Sequence, residues 1–351
     1  MENARITISS SDKLNLMSNI ATMMTAGIPI LETVESLMGE TKGNTRKILE
    51  QLQDDLTQGK HMYTSFAQFP KVFDKVTVNI VRASEEAGTL DTTLKDLREQ
   101  IKKDMEFADR IRGALTYPIM IFFVFIAIML MILLVVVPKI ASVFLHLSVV
   151  LPLPTKILII TSQTMLTYPL QVILGTAVVV VTIVYLFRTY KQWILRRLFT
   201  LPLIAILIKQ IDLTRFSRSM YLLLTSGITI TNALELAQDV VQRKDIADAI
   251  GFAKDTVLAG KNLSEGFKEK KNVFSNIMIK IIEAGEKTGT LDKSMQDISE
   301  HLEYEVSNTL KTLTTLLEPL MLVFVGLLVG GMMLSIIAPI YQLIGQVGGA
   351  H

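Results

Sequence analysis

An unbroken run of apolar residues at 119–137 constrains this chain more than any other feature. A helix needs roughly 20 such residues to cross about 30 Å of hydrocarbon, so the run predicts a membrane-spanning helix. Two further segments are almost as apolar and predict a second and a third span. We expect the three spans at 116–137, 169–187 and 319–344.

The composition agrees with a membrane protein. Charged residues make up 19% of the 351 residues, whereas soluble proteins average about 25%, and the mean hydropathy is +0.43. Residues 116–187 contain no acid and only two bases, Lys139 and Lys156, which excludes an ordinary soluble enzyme. The 35 Lys and Arg residues nearly balance the 33 Asp and Glu residues, so no basic surface for nucleic acid is indicated.

The distribution of Lys and Arg predicts the orientation of the spans, because cytoplasmic loops carry an excess of these residues. Four precede span one within 102–112 and four follow span two within 188–197. Only Lys139 and Lys156 separate spans one and two, and none follows span three. We therefore expect a cytoplasmic lobe one at 1–115, an external loop at 138–168, a cytoplasmic lobe two at 188–318 and an external tail at 345–351.

The two lobes read as copies of one unit. TAGIPI at 25–30 matches TSGITI at 225–230, which is an offset of 200, and EEAGTLD at 85–91 matches EKTGTLD at 286–292, an offset of 201. Pro118 and Pro138 bracket span one, and Pro319 and Pro339 bracket span three, again 201 residues apart. A constant register over this length predicts two homologous lobes, each followed by a span, with one inserted residue between the copies.

Apolar residues at helical spacing follow each GTLD turn, and strand patterns are nearly absent outside the spans. The stripes are Leu90, Leu94, Leu97, Ile101 and Met105 in lobe one, and Leu291, Met295, Ile298, Leu302 and Val306 in lobe two. The expected fold is an all-α membrane protein with two homologous cytoplasmic helical-bundle lobes and three transmembrane helices.

The repeated motifs supply the candidate site residues. Glycine is suited to the left-handed position that ends a helix, and we expect it there at Gly27, Gly59, Gly88, Gly227, Gly260 and Gly289. The same motifs contain Glu85, Leu90 and Asp91, with Gly285, Glu286, Leu291 and Asp292 in the second copy. The two aspartates lie near the positive end of the next helix. The two glutamates either face a partner or are ordinary exposed helical carboxylates, and the sequence leaves both open.

The span residues have plain structural readings. Pro118 and Pro319 fit first-turn positions, whereas Pro138 and Pro339 indicate helix ends or kinks. Span three contains the GxxxG pair Gly326 and Gly330, followed by Gly331 and Ser335. Small residues on one face allow close helix contact, either within one subunit or between two subunits.

No residue pattern favours catalysis. The string AGKNLSEG at 259–266 lacks the glycine and the hydroxyl residue that a phosphate-binding loop requires. The four histidines are isolated in the sequence, and no ionisable residue lies within a span apart from Glu318 at the edge of the third. Proteases and ion-coupled transporters of the membrane use such residues, so we expect no enzyme, no metal and no cofactor.

The chain resembles the GspF/PilC family of inner-membrane platform proteins. The resemblance rests on the duplicated lobe, on G-T-L at 88–90 and 289–291, on LPLPTKILIITS at 151–162 and on the segment 201–230. The family pattern G-E-x-x-G-x-L is complete in lobe two from Gly285 to Leu291, whereas lobe one has Ser84 at the first position.

The resemblance implies lobes of about six helices and a homo-oligomeric platform in the bacterial inner membrane. It implies coupling of a cytoplasmic hexameric ATPase to polymerisation of pilin or pseudopilin, in contact with other machine components and membrane lipid. It does not choose between pilus assembly and type II secretion. The rival interpretations are a membrane enzyme that acts on prepilins and a dimeric transporter subunit, neither of which has a supporting constellation of residues.

Overall fold

The structure is a computed structural model that describes residues 3–146, 153–190 and 202–348. The described residues are helical without any strand, which confirms the all-α fold. They group into two compact units, one within Met1–Ile111 and Ile206–Asn308, and the other within Arg112–Ala205 and Thr309–His351. The predicted segments 147–152, 191–201 and 349–351 lie outside the described residues.

The first unit contains both lobes. The helices of lobe one are α1 (Ser10–Thr25), α2 (Ile30–Glu40), α3 (Gly43–Thr57), α4 (Met62–Ala67), α5 (Lys75–Ala87) and the start of α6 (Leu90–Met131). The helices of lobe two are α10 (Pro202–Thr225), α11 (Ile230–Gln238), α12 (Lys244–Leu258), α13 (Leu263–Lys268), α14 (Asn276–Thr288) and the start of α15 (Leu291–Gly348).

The helix boundaries confirm the internal repeat. Helices α2 and α11 begin 200 residues apart, at Ile30 and Ile230, and every later pair begins 201 residues apart. The inserted residue therefore lies between the start of α11 and the start of α12, where α11 is two residues shorter than α2 and the connection 239–243 is three residues longer than 41–42.

Each lobe packs around an equivalent pair of phenylalanines. Phe66 and Phe73 are fully buried in lobe one with ring centroids 3.8 Å apart, and Phe267 and Phe274 are fully buried in lobe two at 4.0 Å. Both pairs obey the offset of 201. Because buried aromatic rings contribute large apolar areas, the repeat extends from the helix boundaries into the two cores.

The second unit contains the apolar helices. It comprises the rest of α6 and α15, a π-helical segment (Ile132–Val136), α7 (Val137–His146), α8 (Leu153–Thr167) and α9 (Pro169–Thr189). The helical stretches Leu90–Ser142 and Leu291–Ser335 are each long and apolar enough to cross a membrane. A third span exists if the bent pair α8 and α9, with 104° between them, is counted as one.

The segment 138–168, which we expected as an external loop, contains α7 and α8. An apolar cluster of Val137, Ala141 and Ile159 packs these two helices together. The sequence of α8 favours a helix here, since LPTKILIITSQTMLT holds seven Leu, Ile and Met residues among its 15. The membrane side on which this segment lies stays a prediction.

Candidate functional site

The two motif glutamates bind backbone N–H groups inside their own lobes. The Glu85 carboxylate accepts from the N–H of Met62 at 2.9 Å and of Tyr63 at 3.3 Å. The Glu286 carboxylate accepts from the N–H of Leu263 at 2.5 Å and of Ser264 at 3.1 Å. The two sets of contacts are related by 201 residues.

These contacts cap the short helices α4 and α13. The N-cap residues of these helices, His61 and Asn262, make no side-chain capping hydrogen bond of their own. A helix leaves its first N–H groups without internal partners, and a carboxylate is the strongest acceptor for them. Glu85 and Glu286 are therefore internal caps, and neither of the two readings that the sequence left open describes them.

Gly88 and Gly289 end α5 and α14 in the left-handed conformation that the sequence predicted, with φ of 72° and 71°. The next N–H closes each turn: Thr89 donates to the carbonyl of Ser84 at 2.8 Å, and Thr290 to that of Gly285 at 2.9 Å. Positive φ also occurs at the predicted corners Gly27, Gly59, Gly227 and Gly260. Leu90 and Leu291 begin the following helices, with Asp91 and Asp292 in their first turns.

The departure from the family pattern at Ser84 has a packing explanation. A Cβ on Gly285 would lie 2.2 Å from Ser294 Oγ and 3.2 Å from Leu291 Cα, so α14 and α15 are in close contact there. In lobe one the Ser84 side chain is accommodated, buried, with its hydroxyl bonded to the Val81 carbonyl at 2.9 Å. Lobe two therefore requires glycine at this position and lobe one does not.

The lobes contact each other through unlike faces within the first unit. Lys75 of α5 pairs with Asp239, which follows α11, at 2.6 Å, and Lys103 of α6 lies 3.6 Å from Glu300 of α15. At the offset of 200 the equivalent of Asp239 is Gly39, so lobe one carries no charge at this position.

Arg218 of α10 is the most buried charge in this contact, and sequence reasoning missed it. Its side chain is 7% exposed, and its two terminal nitrogens donate to Asp104 of lobe one and to Glu303 of lobe two. The guanidinium carbon lies 6.0 Å from the centroid of the Phe107 ring. Comparison of the two copies offers one signal in the sequence: lobe two has a charged residue, Arg218, where the equivalent position of lobe one is the uncharged Ser18.

In the second unit, Pro138 leaves a carbonyl of span one without its backbone partner. The N–H of Val137 bonds to the Ile132 carbonyl in the π-helical segment, and Pro138, the next donor in that register, has no N–H. The carbonyl of Leu133 instead accepts from Ser162 Oγ of α8 at 2.7 Å.

Pro339 has the same effect on span three. Its missing N–H would have served the carbonyl of Ser335 four residues earlier, and that carbonyl accepts from Thr155 Oγ1 of α8. Both hydroxyl residues are buried. In lipid, a freed carbonyl must find such a partner, so α8 links the two spans at their equivalent prolines.

The first-turn prediction for Pro118 and Pro319 was wrong. Both lie well inside continuous helices, because α6 and α15 run from the lobes through the apolar segments.

The small residues of span three do not share one face. At 3.6 residues per turn, Ser335 lies about 180° around the helix from Gly326. Phe324, which is 6.2 Å from Phe125 of span one between ring centroids, is on the Ser335 side. A Cβ on Gly326, Gly330 or Gly331 would have no neighbour within 4 Å in the described part of the chain. Contact between two subunits through the GxxxG pair stays a prediction.

The described residues contain no group of three or more His, Asp or Glu side chains that could hold a metal.

Comparison with known proteins agrees with the duplicated architecture. The model of the family "Type II secretion system (T2SS), protein F" matches the chain twice, at residues 16–138 and 216–339. A type IV pilus assembly protein PilC of Myxococcus xanthus is 28% identical, with 97% of this chain and 82% of the relative aligned.

Other relatives carry similar names. A PilC of Thermus thermophilus is 29% identical over 93% of this chain and 81% of its own length. A type II secretion system protein F of Aeromonas hydrophila is 26% identical over 95% and 87%. Because the family model covers both lobes and the helices that follow them, the chain belongs to the GspF/PilC family of type II secretion system protein F.

Proposed function

We propose that this chain is the inner-membrane platform of a type IV pilus or type II secretion machine. In this role it couples a cytoplasmic ATPase to the polymerisation of pilin or pseudopilin and catalyses no reaction itself. The observation that carries the proposal is the pair of homologous lobes, each matched by the family model. The names of the relatives support both assembly of pili and type II secretion.

The proposed location is the bacterial inner membrane, with both lobes and the N-terminus in the cytoplasm. The asymmetry of Lys and Arg supports this orientation. Reporter fusions at Ala4, Pro154, Lys261 and His351 test it, and we expect them to read inside, outside, inside and outside. A cytoplasmic reading at His351 would overturn the scheme.

The proposed partners follow from the division into two units. The lobes carry the charged surface of the chain and would receive the ATPase. Pilin would approach the apolar helices, where Gly326 and Gly330 leave room for a close helix. The platform would also associate with further copies of itself and with other inner-membrane components.

Deletion of the gene tests the role in assembly. We expect loss of the surface fibre or of secretion, while pilin is still made and processed to its mature length. Accumulation of unprocessed pilin would favour the prepilin-processing enzyme instead.

A binding experiment tests the ATPase contact. Full-length protein in detergent should retain the assembly ATPase of the same organism and show no ATP hydrolysis alone. Charge reversal in either lobe should identify the contact surface. If the purified protein does not retain the ATPase, the proposed coupling fails.

A further inference from the structure

The contact between the two lobes joins two different faces of the repeated unit. Lobe one contributes α5 and α6, and lobe two contributes α10, α11 and the side of α15 that carries Glu300. Since the lobes have the same fold, each contributing face has an equivalent on the other lobe. The equivalent of the α5–α6 face is the α14–α15 face of lobe two. The equivalent of the α10–α11 face is the α1–α2 face of lobe one.

Positions buried at the lobe contact are exposed in their equivalents. Val76 of α5 is 6% exposed and lines, with Leu236 and Val240 of lobe two, a cleft of about 540 Å³. Its equivalent on α14, Ile277, is 56% exposed. A large apolar side chain is therefore left in solvent at the position that the other lobe covers.

The α10–α11 face of lobe two and its equivalent in lobe one, the α1–α2 face, show the same difference in exposure. Ser219 and Leu222 of α10 are buried at the lobe contact, whereas their equivalents Asn19 and Thr22 on α1 are exposed. The first unit therefore has one occupied contact and two unoccupied halves of an equivalent contact.

The charges of the two unoccupied faces are complementary. Helix α2 carries three exposed acids and no base: Glu32, Glu35 and Glu40. Helix α14 carries exposed Lys280 and Lys287, which are equivalent to Asn79 and Glu86 of α5, and also Glu283, which lies between them and pairs with Lys287 at 2.9 Å. At the lobe contact Asn79 and Glu86 share a cleft with Asn232 and Glu235, the equivalents of Glu32 and Glu35. The same pairing between two chains would place two lysines and Glu283 opposite two glutamates, which leaves a net attraction.

We propose that the α14–α15 face of one chain binds the α1–α2 face of a second copy, in the arrangement that the two lobes adopt within one chain. Such a contact joins unlike faces and is heterologous, so it can add copies in sequence. The proposal concerns contact between copies of this chain and does not depend on binding of an ATPase.

Cysteine cross-linking tests the proposal directly, because the chain has no cysteine. Two full-length chains with different affinity tags, one Glu32→Cys and the other Lys280→Cys, are expressed together and treated in membranes with a short thiol-specific bifunctional cross-linker, because a direct disulfide would require Cα atoms within about 7 Å. We expect a cross-linked dimer that carries both tags. A Lys75→Cys/Asp239→Cys chain serves as the folding control and should cross-link internally without a gain in mass.

Two further arms identify the contact. Lys47→Cys on the exposed surface of α3 replaces Glu32→Cys as the matched negative control and should give no mixed dimer. Reversing Glu35 to lysine should reduce the mixed cross-link at least several-fold, and adding Lys287→Glu in the partner chain should restore it. Absence of the mixed dimer while the internal control forms would overturn the proposal. So would dimers formed by the Lys280→Cys chain alone, since these require like faces to meet.

Discussion

The hydroxyl of Ser162 donates to the main-chain carbonyl of Leu133 across 2.7 Å, and this carbonyl lacks a backbone donor because Pro138 follows five residues later. Thr155, seven residues before Ser162 and on the same face of α8, serves the Ser335 carbonyl that Pro339 leaves open. The two prolines are equivalent in the repeat, and one helix, α8, supplies a hydroxyl donor for each of the two carbonyls that they leave without a backbone partner.

Ser162→Ala should destabilise the membrane-spanning part by about 1 kcal/mol, since a buried carbonyl loses its only side-chain donor. Unfolding of the purified full-length protein in detergent measures the change. Thr161→Ala is the matched control, because its exposed hydroxyl bonds only to Ile157 of its own helix. In a Pro138→Ala background, which restores a backbone N–H, the effect of Ser162→Ala should shrink. Equal losses in both backgrounds would contradict this account.

Glu85→Ala and Glu286→Ala should each lower the free energy of unfolding by about 1 kcal/mol, as loss of a helix cap does. The two effects should add, because the carboxylates belong to different lobes. Glu86→Ala, on the exposed neighbour of Glu85, should change little. Denaturant titration of the full chain gives these values. If Glu86→Ala costs as much as Glu85→Ala, capping is not the role of Glu85.

Gly285→Ala should destabilise lobe two by about 1–3 kcal/mol, since the added carbon would overlap Ser294 and approach the backbone of Leu291. Ser84→Ala at the equivalent position should cost much less, because lobe one already accommodates a side chain there. Thermal unfolding of the two variants provides the comparison. If Gly285→Ala leaves the unfolding temperature unchanged, α14 and α15 can move apart without cost and the packing explanation is wrong.

Asp55 should make the stability of lobe one depend on acid pH. Burial alone would raise the pKa of this carboxyl, but hydrogen bonds from Lys60 and Ser65 outweigh it and lower the pKa below the ordinary value. A lowered folded-state pKa contributes stability that is present above the unfolded value of about 3.9 and is lost as the pH falls through the folded value. Asp55→Asn should therefore be less stable at neutral pH.

The Asp55→Asn variant should also lack the part of the acid decline that Asp55 causes in the original protein. Asp54→Asn, at the adjacent exposed position, is the control. It should change neither the free energy of unfolding at neutral pH nor its decline at acid pH. Urea titrations between about pH 3 and pH 7 measure the difference. Parallel pH profiles for the original protein and Asp55→Asn would contradict the assignment.

Arg218→Ala should destabilise the first unit by about 2 kcal/mol, because Glu303 of the same lobe, 15% exposed, would lose its partner and the ion pair to Asp104 of lobe one would be lost as well. The cost stays below that of a fully buried pair, since Asp104 is more than half exposed and can be hydrated. Arg215→Ala, on the exposed side of the same helix, is the control. Faster proteolysis of the connection at 239–243 should accompany Arg218→Ala only.

The repeated helices, spans one and three and the glycine corners could all be predicted from the residues. Each depends on neighbours within one or two helical turns: Leu94 and Leu97 lie on one face because of helical periodicity, and Gly88 ends α5 because glycine tolerates positive φ. Because the two copies keep a constant offset, each local feature predicted in one lobe could also be predicted at the equivalent position of the other.

Contacts between distant segments required the tertiary structure. The sequence did not show that Glu85 reaches back to an N–H 23 residues earlier, or that Arg218 meets an acid 114 residues away. Nor did it show that 138–168 holds a helix whose hydroxyls serve carbonyls freed by Pro138 and Pro339. A carboxylate, a guanidinium or a hydroxyl can satisfy many partners with equal chemistry, and packing of the helices decides which partner lies within hydrogen-bond distance.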